Sequence, residues 1–375
     1  MRIYRVSRAF FPVVDGAAHH VWGLSRAQTR LGHHVCVVQP HVTAWPGGES
    51  VMLHRVPMGV LHPYLYRSKA VLGAFAVRAA LAVRRRHRGH PADVVHVHGD
   101  AVEAACVGAW ARPARVPLVL TVHGGLNTGR RYTRWAPTLF RFVTRFIAVS
   151  PSVREQLIGL DVASDRIAVI SSGIDLSRFP RSERRPQPNP VHIATVGRLH
   201  RVKGFDLLIA AVRRLHEAGH RVRLTIAGEG PERAMLRAAV GDLPGIELAG
   251  AMSPDEVAQL LRAADIFAMP SVDVGSQAEG TPTAVLEAMA AALPVVVSDS
   301  GGLPQLVRDG VNGLVVPQGD VARLAEAILT LVGDAAMRRK LGDENRQLAE
   351  GRDWAVVAAG VDAVYREAIE EHARR

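Results

Sequence analysis

Two α/β domains, each built on a parallel sheet, are the fold class that this sequence predicts. Three observations carry it. Short apolar runs alternate with helix-period segments through both halves, a proline-rich stretch interrupts them near the middle, and a helical segment follows the last strand. At 375 residues the chain is long enough for two full cores. Hydrophobic residues make up 48% and mean hydropathy is +0.08, as in ordinary globular proteins.

The first half carries expected strands at 3–7, 34–38, 51–56, 94–98, 118–122, 146–149 and 167–170, most of them rich in Val and Ile. Helical spacing places helices between them at 19–31, 65–88, 100–111, 136–144 and 152–160. Residues 180–190, rich in proline and charge, cannot propagate a helix and read as a linker. Beyond it, strands are expected at 191–196, 222–227, 246–248, 266–269, 294–298 and 313–316. Helices alternate with them at 205–218, 232–239, 254–263, 283–291, 304–308 and 321–331. From 335 the chain is helical, and a helix left over after a finished sheet must dock somewhere. Residues 354–369 are expected to return across the linker onto the first domain. The division expected is therefore 1–185, 186–352 and a terminal helix at 353–375.

Charge is uneven. Residues 1–186 hold 26 Lys and Arg against 10 Asp and Glu, and the remainder holds 20 against 25, within a formal net charge of +11. The first half therefore attracts anions. No apolar run reaches the ~18 residues of a membrane-spanning helix. Residues 1–6 read as a strand rather than a leader peptide, so a cytoplasmic protein is expected. Cys36 and Cys106 stand far apart without any CxxC pattern, which disfavours a disulfide scaffold or a cysteine metal site.

Among the motifs, Glu279-Gly280-Thr281-Pro282-Thr283-Ala284-Val285-Leu286-Glu287 is the most informative. With a helix starting near Pro282, Glu279 lies in the loop before it and Glu287 about 1.5 turns inside. Helix N-termini favour anions. Two acids are at odds with that unless they hold hydroxyl groups beside a bound phosphate, which suggests a nucleotide-sugar. Val196-Gly197-Arg198-Leu199-His200-Arg201-Val202-Lys203-Gly204 follows the first strand of the second half. Arg198 and Lys203 there are expected to meet at the carboxyl end of that strand, where open α/β sheets bind ligands. Arg suits bidentate phosphate contact and Lys supplies a mobile charge. One of only three lysines in the chain stands there, which favours the phosphate reading over a solvated charge run. The loop 11–17 carries Gly16, which permits close backbone approach to a ligand or serves an ordinary turn. It is not GxGxxG, so a nicotinamide dinucleotide site is disfavoured. Gly228-Glu229-Gly230-Pro231 reads as a structural turn, and Ser300-Gly301-Gly302 as a second glycine turn that could border the same ligand.

The order of these motifs resembles the retaining glycosyltransferases of family 4. The resemblance runs over nearly the whole chain: the Gly16 loop, Thr121-Val122-His123-Gly124, Val149-Ser150-Pro151-Ser152, Ser172-Gly173-Ile174-Asp175, Gly197-Arg198 with Lys203-Gly204, Gly228-Glu229-Gly230-Pro231, Glu279 with Glu287, and Ser300-Gly301-Gly302. It departs at Ala17, Ser172 and Gln305, where the family has Gly, Asn and an acid; a Cβ at Ala17 could restrict donor or acceptor.

The resemblance implies a GT-B fold, two Rossmann-like doubly wound domains facing a central cleft, with the C-terminal helix crossing back to the first. It implies an acceptor-binding first domain and a nucleotide-sugar-binding second domain. Arg198 and Lys203 would neutralise the pyrophosphate in place of a metal ion, so neither metal nor cofactor is expected. Glu287 would accept hydrogen bonds from the ribose hydroxyls. Glu279 would face the transferred sugar, with the backbone of Gly280, Thr281, Pro282 and Thr283 alongside. His123 would contact the sugar, and Gly16 would lie near the β-phosphate and the acceptor hydroxyl. The donor expected is uridine-linked, and the partners are that donor and a hydroxyl acceptor. Two other readings compete: a nucleotide-sugar epimerase on the same fold, and a non-catalytic nucleotide-sugar or membrane-surface binding protein. Donor hydrolysis without acceptor separates the binding protein from the transferase.

Other signals carry less. His96 and His98 share a strand face, as metal ligands do, but strand packing is the favoured reading without a nearby carboxylate or cysteine pattern. His19 and His20 read as residues of a loop or helix end, where either could border the acceptor pocket. Residues 65–90 gather seven basic side chains about an apolar stretch. Packing of that stretch on the sheet is favoured, while peripheral contact with an anionic membrane stays open. Nucleic acid is disfavoured, since no recognition motif accompanies the charge. Acceptor identity and oligomeric state are not encoded in any motif.

Overall fold

The alternation of apolar runs and helices builds two parallel sheets. The computed structural model describes residues 1–8, 16–40, 51–58, 68–123, 130–181, 190–275 and 283–374. They fall into two units, residues 1–173 with 354–375, and residues 174–353.

The first unit contains strands β1 (Arg2–Ser7), β2 (His34–Gln39), β3 (Met52–Arg55), β4 (Val94–His98), β5 (Leu118–Val122), β6 (Arg145–Ala148) and β7 (Ile167–Val169). With them are helices α1 (Gly16–Arg30), α2 (Lys69–Gly89), α3 (Ala101–Ala111), α4 (Arg130–Phe140) and α5 (Pro151–Ile158). The strand order is β3-β2-β1-β4-β5-β6-β7, all parallel.

The second unit has β8 (Val191–Val196), β9 (Val222–Ala227), β10 (Ile246–Gly250), β11 (Ile266–Met269), β12 (Val295–Ser298) and β13 (Gly313–Val316). Its helices are α6 (Phe205–Glu217), α7 (Arg233–Val240), α8 (Pro254–Ala263), α9 (Thr283–Ala290), α10 (Leu303–Leu306), α11 (Val321–Gly333) and α12 (Ala335–Glu350). This sheet runs β10-β9-β8-β11-β12-β13, again parallel. A last helix, α13 (Trp354–Arg374), belongs to the first unit. Among the described residues no helix is long and apolar enough to cross a membrane.

Both faces of each sheet are covered, which is why the strands read as continuous apolar runs. In the first unit Tyr4, Val6, Val95 and Val97 pack against Phe75, Ala79 and Val83 of α2 and Val107 of α3. On the opposite face Ile3, Val94, Val119 and Ile147 meet Val21 and Leu24 of α1 and Ala358, Val361 and Tyr365 of α13. Strand order reverses between β1 and β4 and between β8 and β11. Ligands of open parallel sheets bind at the carboxyl ends of the strands at such reversals.

Several boundaries differ from expectation. The chain changes units at Gly173–Ile174, not at 185, because Ile174 and Phe179 are buried with Val285, Leu286 and Met289 in the second core. α1 starts at Gly16 rather than at 19, so His19 and His20 lie inside the helix rather than at its end. α4 spans Arg130–Phe140 instead of 136–144. Tyr132, Ala136 and Phe140 recur at helical spacing against the core, whereas Thr144 is drawn to the sheet by the bond from its N–H to the Leu118 carbonyl, 2.7 Å. The terminal segment is two helices, broken at 351–353, where the Ile174 N–H donates to the Arg352 carbonyl at 2.9 Å.

Trp354 sets the seat of α13. A Cβ built on Gly23 of α1 would lie 2.0 Å from its indole, and one on Gly173 would lie 2.6 Å away. Both positions need the missing side chain as space. Gly23→Ala should therefore destabilise the protein by roughly 1–3 kcal/mol, the usual cost of overpacking, despite the higher helix propensity of alanine. Thermal unfolding of Gly23→Ala checks this, and a Tm at or above that of the parent would contradict it.

Candidate functional site

In the second unit the turn after β8 is held mainly by main-chain bonds. The Gly197 N–H donates to the Ala227 carbonyl at 3.0 Å and the Leu199 N–H to the Glu229 carbonyl at 2.9 Å. The Gly228–Gly230 turn after β9 thus buttresses this loop. Gly228 has φ +145°, and a Cβ there would stand 1.8 Å from the Gly197 carbonyl oxygen. Gly204 ends the turn with φ +61°, and a Cβ on it would lie 2.0 Å from the Pro270 carbonyl oxygen after β11. Only glycine fits both constraints. The Val272 N–H donates to the Val202 carbonyl at 2.8 Å, which joins the β8 and β11 turns.

The end of β12 closes the same row. Ser298 donates to the Ser271 carbonyl, and Ser300 Oγ donates to Asp273 at 2.6 Å. Four strand ends are thereby stitched into one floor at the reversal of strand order. Arg198 and Lys203 stand together on the β8 turn, Arg198 exposed and Lys203 half-buried. Thr283 opens α9, and Glu287 lies one turn further along it. Burial pushes the Glu287 carboxyl up to about 7, against the opposing charge of Arg178. Glu279, Gly280, Thr281 and Pro282 lie outside the described residues.

In the first unit His123 directly follows β5, and Gly16 is the first residue of α1. Strand register pairs His98 with Thr121, two residues before His123, so the two imidazoles share a face. His98 Nδ1 and His123 Nε2 share a hydrogen bond of 2.8 Å. His20, from α1, lies with its ring 4.8 Å from that of His123. Burial lowers the pKa of His123 to about 4, helped by Arg8, and holds His20 and His98 well below the ordinary imidazole value. All three are therefore neutral. His96 is structural: it bonds Tyr365 Oη at 2.6 Å and Thr121 Oγ1 at 2.7 Å. The turn after β4 adds Glu103, buried and paired with Arg8 at 3.1 Å, while its Oε2 accepts from the Asp100 N–H at the start of α3. Burial and the neighbouring Asp100 raise the Glu103 carboxyl.

Arg198, Lys203 and His123 follow strand ends as the sequence predicts, whereas the sequence predicts only strand packing for His98 and a pocket border for His20 and gives no signal for Glu103. The His96-x-His98 alternation was the available signal, and it could not say which imidazole packs and which faces the site.

The apolar stripe of α2 packs on the sheet through Phe75, Ala79 and Val83. A second stripe, with Val77, Leu81, Arg84 and Arg88 at helical spacing, is exposed.

The family model described as "Glycosyltransferase Family 4" matches residues 14–178, and that described as "Glycosyl transferases group 1" matches 190–334. The chain is 31% identical to a glycogen synthase of Mycobacterium tuberculosis, over 97% of this chain and 94% of that protein. It is 28% identical to a phosphatidyl-myo-inositol mannosyltransferase of Mycobacterium leprae, over 97% and 96%. Among solved structures, Anabaena Alr3699/HepE in complex with UDP superposes with a TM-score of 0.78 at 20% identity, over 98% of this chain and all of that one. That likeness shows the fold.

Glu287 gives a pH signature. Its folded value of about 7 exceeds the unfolded 4.5, so the folded protein holds the extra proton between them. Stability then falls as pH rises through that window, by on the order of 3 kcal/mol when the acid is fully ionised. Glu287→Gln removes the ionisation. Its Tm should exceed the parent's clearly at pH 8 and by much less at pH 5; an equal difference at both pH values would refute the assignment.

Proposed function

This chain belongs to glycosyltransferase family 4 and has the GT-B fold, and we propose that it transfers a hexosyl group from a uridine-diphosphate sugar to an acceptor hydroxyl with retention at the anomeric carbon. The observation that carries the proposal is the pair Arg198 and Lys203 on the glycine-closed turn at the carboxyl end of β8. A guanidinium and an ammonium there stabilise a pyrophosphate as it departs, and no metal ion is then required. Likeness to a protein crystallised with UDP supports the nucleoside, and the names of the relatives support hexosyl transfer.

In this reading Glu287 accepts hydrogen bonds from the ribose hydroxyls. Glu279 faces the sugar hydroxyls, with the backbone from Gly280 to Thr283 beside them. His123 contacts the transferred sugar, and its neutral imidazole can stabilise developing oxocarbenium charge through its lone pair. Gly16 lies near the β-phosphate and the acceptor. The bond from C1 to the β-phosphate oxygen breaks while the acceptor oxygen bonds C1 on the same face. The acceptor's proton passes to the departing phosphate oxygen, so no protein base is needed. The exposed stripe of α2, which joins Val77 and Leu81 to Arg84 and Arg88, supports peripheral contact with an anionic membrane as part of the proposal.

Thermal shift with UDP-glucose, UDP-galactose and GDP-mannose identifies the donor. Mass spectrometry of products from sugars, anionic lipid vesicles and natural-product alcohols then identifies the acceptor, and NMR of the product reads the anomeric configuration. Lys203→Ala should lower kcat/KM by about 10²-fold or more, the scale of one lost electrostatic stabiliser. Glu279→Gln should keep substantial turnover; complete loss with donor binding intact would instead make Glu279 a nucleophile.

A further inference from the structure

Among the unmet polar demands of the first unit, one is concentrated on neighbouring imidazoles. His20 is 1% exposed, and its ring packs between His123, His98 and Trp354. Among the described residues neither Nδ1 nor Nε2 of His20 has a hydrogen-bond partner, and His98 Nε2 has none. An unpaired buried polar group costs roughly 1–3 kcal/mol. Burial alone does not explain it, because the equally buried His96 has both nitrogens engaged.

A divalent cation meets the demand in number but not in charge. Ligand nitrogens of His20, His98 and His123 lie within 4.8 Å of one another. Arg5, however, acts on His20 and His98, and Arg8 on His123. Among the described residues the unpaired nitrogens of His20 and His98 have no carboxylate partner of the kind that offsets a bound dication. A neutral hydroxyl fits better. Neutral imidazole has one N–H and one lone pair, the complement of an O–H group that both donates and accepts.

We infer that His20 is a further substrate-binding residue, one of whose ring nitrogens takes a hydroxyl of the transferred sugar or of the acceptor beside the imidazole of His123. The inference rests on the proposed function, in which His123 faces the sugar. His98, bonded to His123 Nε2, is the positioning residue that fixes the orientation of that ring.

The test compares His20→Phe, which keeps an aromatic ring against Trp354, with His20→Gln, which keeps a donor and an acceptor, in the full-length chain. UDP-glucose, or whichever donor turns over in the screen above, is assayed for hydrolysis without acceptor and for transfer. His20→Phe should lower kcat/KM about tenfold or more, with Tm close to the parent's and partial recovery in His20→Gln. A defect in both assays assigns the hydroxyl to the donor sugar. A defect confined to acceptor KM assigns it to the acceptor.

Unchanged kinetics in His20→Phe would overturn the inference, as would a fall in Tm with KM and kcat preserved. If His20→Phe does not fold, His20→Leu is read in the same way. Stoichiometric Co²⁺ binding with a visible absorption band, lost in His20→Phe, would replace the hydroxyl by a metal ion. A parent protein inactive on every nucleoside-diphosphate sugar would refute the proposed function first and His20 with it, a result told apart by the parent alone.

Discussion

A fully buried guanidinium governs the first unit. Arg5, on the interior strand β1, donates to Ser25 Oγ and Gln28 Oε1 of α1 and to Tyr365 Oη of α13. Gln28 in turn donates to Asp362 Oδ1 at 2.6 Å, and Asp362 Oδ2 meets His33 Nε2 at 2.7 Å. Burying such a charge is costly unless its hydrogen bonds are made. Those bonds come from two helices at opposite ends of the chain, so the two terminal nitrogens make all of them only when α13 is docked in this register, while Nε has no partner among the described residues. Burial holds the pKa of His20, His96 and His98 well below the ordinary imidazole value, and the same guanidinium adds to that effect. Structural demand and site electrostatics therefore meet in one residue: the ion that holds the terminal helix also reinforces the burial that keeps these imidazoles neutral.

The second unit solves a different problem by different means. Its turns are joined largely by backbone bonds at glycines that admit no Cβ, as at Gly204 and Gly228. Main-chain stitching fixes the floor of the site while leaving the exposed Arg198 side chain outside that scaffold. A floor fixed in this way is preorganised for the pyrophosphate of the proposed donor, since it needs no rearrangement as charge develops.

Most strands are legible because both-face burial writes them as apolar runs, edge strands β3 and β10 being less buried, and α13 because a helix without a strand to follow must pack elsewhere. The place of Arg198 and Lys203 on the turn after β8 is legible because glycine and charge recur at short spacing after a strand. The passage between units was not, since proline content marks where helices stop rather than where burial changes sides; Ile174 and Phe179 already belong to the second core. α4 was misplaced by the same reliance on local pattern, because the pull of Thr144 toward Leu118 acts across 26 positions.

Nearest-neighbour pattern thus suffices for the fold class, the two sheets and the phosphate-suited turn, since periodicity, glycine and charge act over a few residues. Folding alone joins Arg5 to Tyr365 across 360 positions and Gln28 to Asp362 across 334. It also brings His20 to His98 and His123 and leaves their nitrogens unpaired. A histidine's partners, its charge and its unmet hydrogen bonds depend on what burial sets around it, and no spacing along the chain contains that.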